Sequence, residues 1–152
     1  MYYMVILALI SLDQAVKHFI RGHMSTGDSI PVIEGILHIT YINNSGGAFS
    51  ILQGQTAVLL IVPAVLTIAI ILFIHTKRKS GQHVLLLSLS LISGGGMGNF
   101  IDRARMGYVV DFIDFRVFPI FNAADIFVCC GCGLMIIYMI FFERRQTDRQ
   151  TA

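Results

Sequence analysis

Charged residues are scarce in this chain of 152 residues. Asp, Glu, Lys and Arg make up only 13% of it, against roughly 25% in an ordinary soluble domain. Hydrophobic residues make up 55%, and the mean hydropathy is +0.74. The net charge of +2, with no basic run longer than Lys77–Lys79, argues against a nucleic-acid partner. The composition predicts a multi-pass membrane protein.

The sequence also lacks the motifs of several hydrolase classes. Its five histidines form no H-E-x-x-H pattern, and no serine has a Lys or His base at a catalytic spacing. Cysteines occur in one apolar segment only, so neither a disulfide framework nor a zinc site is predicted. We expect no metal and no cofactor, and we expect these cysteines to act as small packing residues: Cys129, Cys130 and Cys132.

Four apolar runs are long enough to cross a membrane, which takes about 20 helical residues. The first has no basic amino-terminal region and no A-x-A site, so we expect an uncleaved helix rather than a signal peptide. Residues 36–42 are rich in β-branched and aromatic residues and predict a strand. The predicted fold is an all-α membrane protein with one small β element, in a single membrane domain over residues 1–152. Its predicted spans are 2–20, 56–74, 84–101 and 123–142.

Lys and Arg are distributed unevenly among the connections. Three lie in residues 75–83 and three follow residue 142, whereas residues 22–54 contain none. Positive residues mark cytoplasmic connections. We therefore expect both termini in the cytoplasm and outer loops over 21–55 and 102–122.

Polar exceptions to the apolar composition are concentrated between Gly94 and Asp125. Carboxylates placed among apolar residues beside a membrane are costly and usually functional. Two carboxyl groups that share one proton can activate a water molecule and protonate a leaving amine. Asp111 and Asp125 have apolar neighbours on both sides, so they are the candidates for such a pair. Four of the nine acidic residues lie in this stretch: Asp102, Asp111, Asp114 and Asp125.

Each carboxylate also has a structural interpretation. If Asn122 is the N-cap of the fourth helix, Asp125 is its N3 residue, where a carboxylate is favourable for capping alone. Asp102 beside Arg103 predicts a structural ion pair, and Asp114 is predicted to be a solvated loop residue.

Two spacings predict helix contacts. Asp13 and Lys17 are four residues apart and can pair on one helix face. They form either a snorkelling pair at the membrane interface or a brace for a buried polar site. Gly94 and Gly98 have the small-xxx-small spacing that lets two helix backbones approach closely.

Together, the motifs resemble those of bacterial lipoprotein signal peptidases, the type II signal peptidases, which are membrane aspartic proteases. That resemblance implies a four-helix membrane bundle with a small extracytoplasmic β element. It is carried by five segments, collinear over nearly the whole chain: Asp13-Gln14 with Lys17, Asn44–Ser50, Gly94–Asn99 with Asp102-Arg103, Gly107 with Val110–Phe112, and Phe121–Asp125.

The resemblance also implies a role for each polar residue. Asp111 and Asp125 would be the catalytic pair, with Asp102 as the rival for the first place. Asp13 and Lys17 would support the fold. The residues that would bind substrate or support the pair are Asn44, Gly46, Asn99, Asp102, Arg103 and Asn122.

The function implied is that of an intramembrane aspartic endopeptidase. It would remove the signal peptide from lipid-modified prolipoproteins on the amino side of the diacylglyceryl cysteine. Its partners would be that substrate and membrane lipid, and it would act as a monomer at the outer face of the bacterial plasma (inner) membrane. The alternative is a small transporter or channel subunit that relays protons or ions through interfacial carboxylates. Transporters often contain an internal repeat, and this sequence shows none.

Within the candidate pair, the two carboxyl groups are expected to differ in charge. Asp125 is expected in the first turn of an outward-starting helix, where free backbone N–H groups and the helix dipole favour a carboxylate. Asp111 is flanked by Val110 and Phe112, so desolvation favours its neutral form. We therefore expect Asp125 to carry the charge and Asp111 the shared proton.

Overall fold

The computed structural model describes residues 1–46 and 55–143, with side chains through residue 141. Its four long helices are each long and apolar enough to cross a membrane, which confirms the four predicted spans. The first three continue past the predicted ends at residues 20, 74 and 101, because hydropathy marks only the segment in hydrocarbon. The helices are α1 (Tyr2–His23), α2 (Thr56–Lys77), α3 (His83–Met106) and α4 (Ala123–Tyr138), which continues as a π-helical turn over Met139–Glu143.

The extension of α3 moves two candidate residues out of the predicted outer loop. Asp102 and Arg103 lie on the last turns of this helix, so the predicted loop over 102–122 begins too early. The helix ends where Gly107 takes a left-handed φ of 79° and donates its N–H to the carbonyl of Arg103. Glycine adopts this conformation at little cost and is the usual residue there.

A small antiparallel sheet is formed by β1 (Ser29–Ile33), β2 (Leu37–Asn44) and β3 (Val109–Asp114), in the order β1-β2-β3. The strand predicted over 36–42 is confirmed as β2. Sequence reasoning missed β3, because its two aspartates lie in what reads as a polar loop. The pairing of β2 with β3 joins segments about 70 residues apart and places Ile42 opposite Asp111.

Two apolar clusters hold the helices and the sheet together. One joins α1, α2 and α3, and the other joins the end of α1 to β2 and β3. Because Val110 and Phe112 belong to the second cluster, the strand that carries Asp111 is held against α1. The buried members are Tyr2, Ile6, Ile70, Ile74 and Leu86 in the first cluster and Ile20, Tyr41, Val110 and Phe112 in the second.

Glycines let α3 approach its neighbours closely. A Cβ on Gly94 would lie 3.0 Å from Leu9 of α1, and one on Gly98 would lie 2.5 Å from Asp13. The predicted close helix contact at these two residues is therefore confirmed. Between α3 and α4, a Cβ on Gly95 would collide with the carbonyl of Ala124, and one on Gly131 would lie 2.8 Å from the carbonyl of Ser88.

We predict that Gly95→Ala and Gly131→Ala each lower the melting temperature, because the added methyl group forces α3 and α4 apart. Gly96→Ala and Gly133→Ala are the matched controls, since a Cβ at either position meets nothing within 4 Å. Alanine in a helix interior is otherwise favoured over glycine by about 1 kcal/mol. Thermal unfolding in detergent would test this, and equal melting temperatures for the two sets would contradict it.

Candidate active site

A cavity of about 670 Å³ lies where the end of the sheet meets α3 and α4. Most of its wall is apolar, and its polar groups converge from four separate segments, as is typical of binding sites. The structure thus brings the two candidate carboxylates together with four of the predicted supporting residues. The polar side chains lining the cavity include Asp111, Asp125, Asn44, Asn99, Arg103 and Asn122.

Asp111 reaches the cavity from β3 and is only 2% exposed. Its two oxygens accept hydrogen bonds from side-chain amides: Oδ2 from Asn44 Nδ2 at 2.8 Å and Oδ1 from Asn122 Nδ2 at 2.6 Å. Burial raises the pKa of Asp111 to about 6, although the two amide bonds act to lower it, and the nearby charge of Asp125 raises it further. Desolvation therefore favours the proton-bearing form of Asp111, the direction expected from its apolar neighbours.

Asp125 lies in the first turn of α4, as the sequence predicted. Asn122 is the N-cap: its Oδ1 accepts the N–H of Asp125 at 3.1 Å, and its own N–H donates to Asp125 Oδ2 at 3.1 Å. Asp125 Oδ1 accepts from Asn99 Nδ2 at 2.8 Å. The capping interpretation is thus confirmed, and the same contacts aim Asp125 at the cavity. Asn122 touches both carboxyl groups and joins them.

Behind the cavity, Lys17 is buried among three acceptors. Its Nζ lies 2.9 Å from Asp13 Oδ2, 2.9 Å from Asp102 Oδ2 and 2.8 Å from Asn99 Oδ1. Asp13 in turn accepts the N–H of Ala124 at 3.0 Å. The predicted pairing of Asp13 with Lys17 is confirmed, and the pair is a buried brace rather than a snorkelling pair at the interface.

The ion pair predicted between Asp102 and Arg103 is wrong. Asp102 is paired with Lys17 and accepts from Gln14 Nε2 at 2.9 Å and from the N–H of Val110 at 3.2 Å. Adjacent helical side chains point in different directions, so they rarely pair. Asp102 does not line the cavity formed by the described residues. It ties β3 to α1 and α3 beside Asp111.

Arg103 lines the cavity and donates from Nη2 to the carbonyl of Gly46 at 2.6 Å. Its positive charge attracts Asp111 and Asp125. Gly46 is the last described residue before residues 47–54, so the rest of the motif at 44–50 lies outside the described residues.

The expectation that Asp114 is a solvated loop residue is also wrong. It is 4% exposed at the end of β3, where it accepts from Thr40 Oγ1 at 2.8 Å and pairs with Arg116 at 3.3 Å. The N–H of Arg116 also donates to Asp114, at 2.8 Å. Asp114 thereby anchors the segment that follows, and residues 118–121 of that segment form one wall of the cavity.

Sequence reasoning gave two other wall residues the wrong role. Cys129 and Cys130 were expected only to pack, but both are exposed and line the cavity. Cys129 follows Asp125 by one helical turn, a spacing that would have indicated their shared face. Among the side chains described, those of residues 1–46 and 55–141, no three of His, Cys, Asp or Glu are grouped as metal ligands would be.

Comparisons with known proteins agree over nearly the whole chain. A model of the family described as Signal peptidase (SPase) II matches residues 5–141. A lipoprotein signal peptidase of Halothermothrix orenii is 42% identical over 139 residues, which cover 91% of this chain and 94% of that protein. One of Halalkalibacterium halodurans is 39% identical over an alignment of 155 positions, which covers 99% of both chains. A bacterial membrane enzyme solved by the in meso method is 35% identical with a TM-score of 0.85, covering 91% of this chain and 87% of that one.

We predict that Asp102→Asn lowers the free energy of unfolding by about 2 kcal/mol, the scale of a lost charged hydrogen bond. Both oxygens of Asp102 accept from donors, so either orientation of an asparagine amide places its NH₂ group against another donor. Denaturant or thermal unfolding would measure the loss. Asp28→Asn is the control, since Asp28 is exposed. Equal stability of the two variants would show that Asp102 is not a brace.

Proposed function

Because the chain belongs to the signal peptidase II family, we propose that it removes the signal peptide from lipid-modified prolipoproteins by aspartic protease chemistry. Cleavage falls on the amino side of the diacylglyceryl cysteine. The observation that carries this proposal is the joining of Asp111 and Asp125 through Asn122 at the wall of one apolar cavity.

The two carboxyl groups interact electrostatically, which activation of a water molecule by a carboxyl pair requires. Asp111 is buried and Asp125 acts on it electrostatically, so the two do not ionise independently. A pair of this kind holds one proton between two carboxyl groups and so presents an acid and a base to the same substrate. Because burial favours the proton on Asp111, we assign Asp111 as the acid and Asp125 as the base in the free enzyme.

In the proposed reaction, Asp125 takes a proton from a water molecule while the water oxygen bonds to the scissile carbonyl carbon. Asp111 gives its proton to the carbonyl oxygen, which produces a tetrahedral diol. Asp125 then gives its proton to the amide nitrogen as the C–N bond breaks, and Asp111 takes the proton of one diol hydroxyl, which restores the pair. The products are a carboxyl group on the signal peptide and a free amino group on the lipid-modified cysteine.

The rest of the cavity fits a substrate that is both peptide and lipid. Arg103 and Asn44 offer N–H donors for peptide carbonyl groups at the polar end. The apolar wall suits acyl chains and an apolar signal peptide: Phe118, Ile120, Phe121, Ile126 and Val128. Membrane lipid is therefore a second partner, and the proposed enzyme acts as a monomer without a metal or a cofactor.

The four spans and the membrane-enzyme neighbour make the chain a multi-pass membrane protein. We place both termini in the cytoplasm, because Lys and Arg are concentrated in the connection between α2 and α3 and after residue 142. The candidate site then lies at the outer face of the bacterial plasma (inner) membrane, where exported prolipoproteins arrive. A shared family with peptidases favours this function over a transporter.

We predict that Asp111→Asn and Asp125→Asn each reduce cleavage of a lipid-modified prolipoprotein by about a thousandfold or more, since each removes a group that transfers a proton. Both variants should remain folded and inserted in the membrane. The measurement is kcat in detergent or bicelles, beside a melting curve for each variant.

The comparison with Asp102→Asn decides which carboxylate is the partner of Asp125 in the catalytic pair. Because Asp102 lies outside the cavity wall, this variant should keep most of its turnover once folded. If Asp102→Asn abolished turnover while Asp111→Asn stayed active, the assignment of the pair would be inverted.

We also predict that kcat/KM falls as the pH rises through about 6, because the pKa of Asp111 is raised to about 6 and its protonated form is the acid. Above that value the protonated fraction drops about tenfold per pH unit. A pH profile of kcat/KM on unbound enzyme would measure this limb. A profile that stays flat from pH 5 to about pH 9 would contradict the assigned role.

A further inference from the structure

Lys17 and the NH₂ group of Asn122, which donates to Asn99 Oδ1 at 3.1 Å, together fix the hydrogen-bond direction of Asn99. The three N–H bonds of the Lys17 ammonium group are used by Asp13, Asp102 and Asn99, all within 2.9 Å. An ammonium group has no lone pair and can only donate. The atom of Asn99 that faces Lys17 must therefore be its oxygen, so its NH₂ group must point at Asp125 Oδ1, 2.8 Å away.

Backbone N–H groups fix the other two amides in the same way. Asn122 Oδ1 accepts from the N–H of Asp125, so its Nδ2 points at Asp111 Oδ1. Asn44 Oδ1 accepts from the N–H of Gly46 at 2.9 Å, so its Nδ2 points at Asp111 Oδ2. With the N–H of Asn122 on Asp125 Oδ2, all four oxygens of the carboxyl pair accept an N–H.

We infer that Lys17 and the backbone N–H groups of Gly46 and Asp125 are remote positioning groups, which keep all three amides turned with their donors toward the carboxyl pair. Hydrogen bonds donated to a carboxylate favour its charged form. The hydrogen bonds from the three amides therefore oppose the effect of burial, which would otherwise favour protonation of both carboxyl groups. The presence of the amides alone is not sufficient. Their direction limits the carboxyl pair to the single shared proton that the proposed reaction needs.

Charged and titratable groups near the pair come from three helices. Asp13 and Lys17 belong to α1, Asp102 and Arg103 belong to α3, and α4 adds the thiols of Cys129 and Cys130 to the cavity wall. The described parts of β2 and of the segment before α4 line the cavity with uncharged side chains. Substitution of an amide leaves all these groups in place, so a changed pH response comes from the substituted side chain.

Asn→Asp substitutions at positions 44, 99 and 122 isolate the direction of each amide. Aspartate has the size of asparagine and keeps the outward acceptor for Gly46, Lys17 or Asp125. It replaces the inward N–H with an oxygen that faces a carboxyl oxygen of the pair. Two such oxygens in contact must share a proton. Each variant should therefore fold and bind one more proton than the parent.

The expected result is a bell-shaped kcat/KM profile that moves to higher pH by about one unit or more, a tenfold change in proton affinity. Infrared titration of the protonated carboxyl C=O band should show the same movement without substrate. The kinetic test rests on the proposed function, whereas the infrared titration does not. If the protein cleaved no prolipoprotein, the proposed function would be wrong, and the infrared titration would still test the inference.

Asn43→Asp is the matched control. Asn43 is exposed, also lines the cavity, and donates to Thr26 Oγ1 rather than to the pair. The Asn43→Asp variant adds the same charge nearby without reversing an inward donor. The pH midpoints of its kcat/KM profile should therefore match those of the parent. An equal shift in this control would show that added charge alone is responsible. If the Asn44, Asn99 and Asn122 variants lowered the amplitude of the profile without shifting its midpoints, the amides would be packing groups with no effect on the titration of the pair.

Lys17→Met tests the remote origin of the Asn99 direction. In the parent it should shift the profile upward, because the Asn99 oxygen is then held only by the NH₂ group of Asn122 and turns toward Asp125 more easily. Combined with Asn99→Leu, it should add no further shift, since that side chain has no amide left to turn. A further shift would show that Lys17 acts by its charge and would overturn its role through Asn99. If Lys17→Met does not fold, the three Asn→Asp variants still decide the inference.

Discussion

The rest of the structure depends on the two ion pairs and the hydrogen bond of the buried Lys17 ammonium group. It pairs with Asp13 and Asp102 and binds Asn99, so one side chain of α1 holds two turns of α3. Through Asp13 it also reaches the start of α4, and through Asp102 it reaches β3. Removing the ammonium group would leave Asp13 and Asp102 buried without their cation, at a typical cost of about 3–5 kcal/mol.

The elements that meet at Lys17 are those that carry the candidate chemistry. Asp111 arrives on β3 and Asp125 on the first turn of α4, and Asn122 holds the two together. Glycines of α3 let α1 and α4 approach closely enough for these contacts to form. The same helix, α3, therefore both packs the helices in the membrane and brings together the polar groups at its surface. Arg103 and the apolar cavity wall then add what a substrate needs.

Hydropathy and short-range spacing predicted what depends on neighbouring residues. The four spans, the pairing of Asp13 with Lys17, the Asn122 cap and the position of Asp125 all follow from local patterns. The partner of Asp102 could not be predicted, because Lys17 lies 85 residues earlier and is reached only after α1 packs on α3. Burial of Asp114 escaped prediction for the same reason, since it needs Thr40 from β2. The end of α3 was misplaced because hydropathy falls before the helix stops.

The most direct test of the account is mass spectrometry of the products that the purified protein makes from a lipid-modified prolipoprotein. The account predicts two products: a signal peptide that ends at the residue before the diacylglyceryl cysteine, and a mature protein that begins with that cysteine and has a free amino group. Cleavage at another bond, or equally fast cleavage of a prolipoprotein without the lipid, would contradict it.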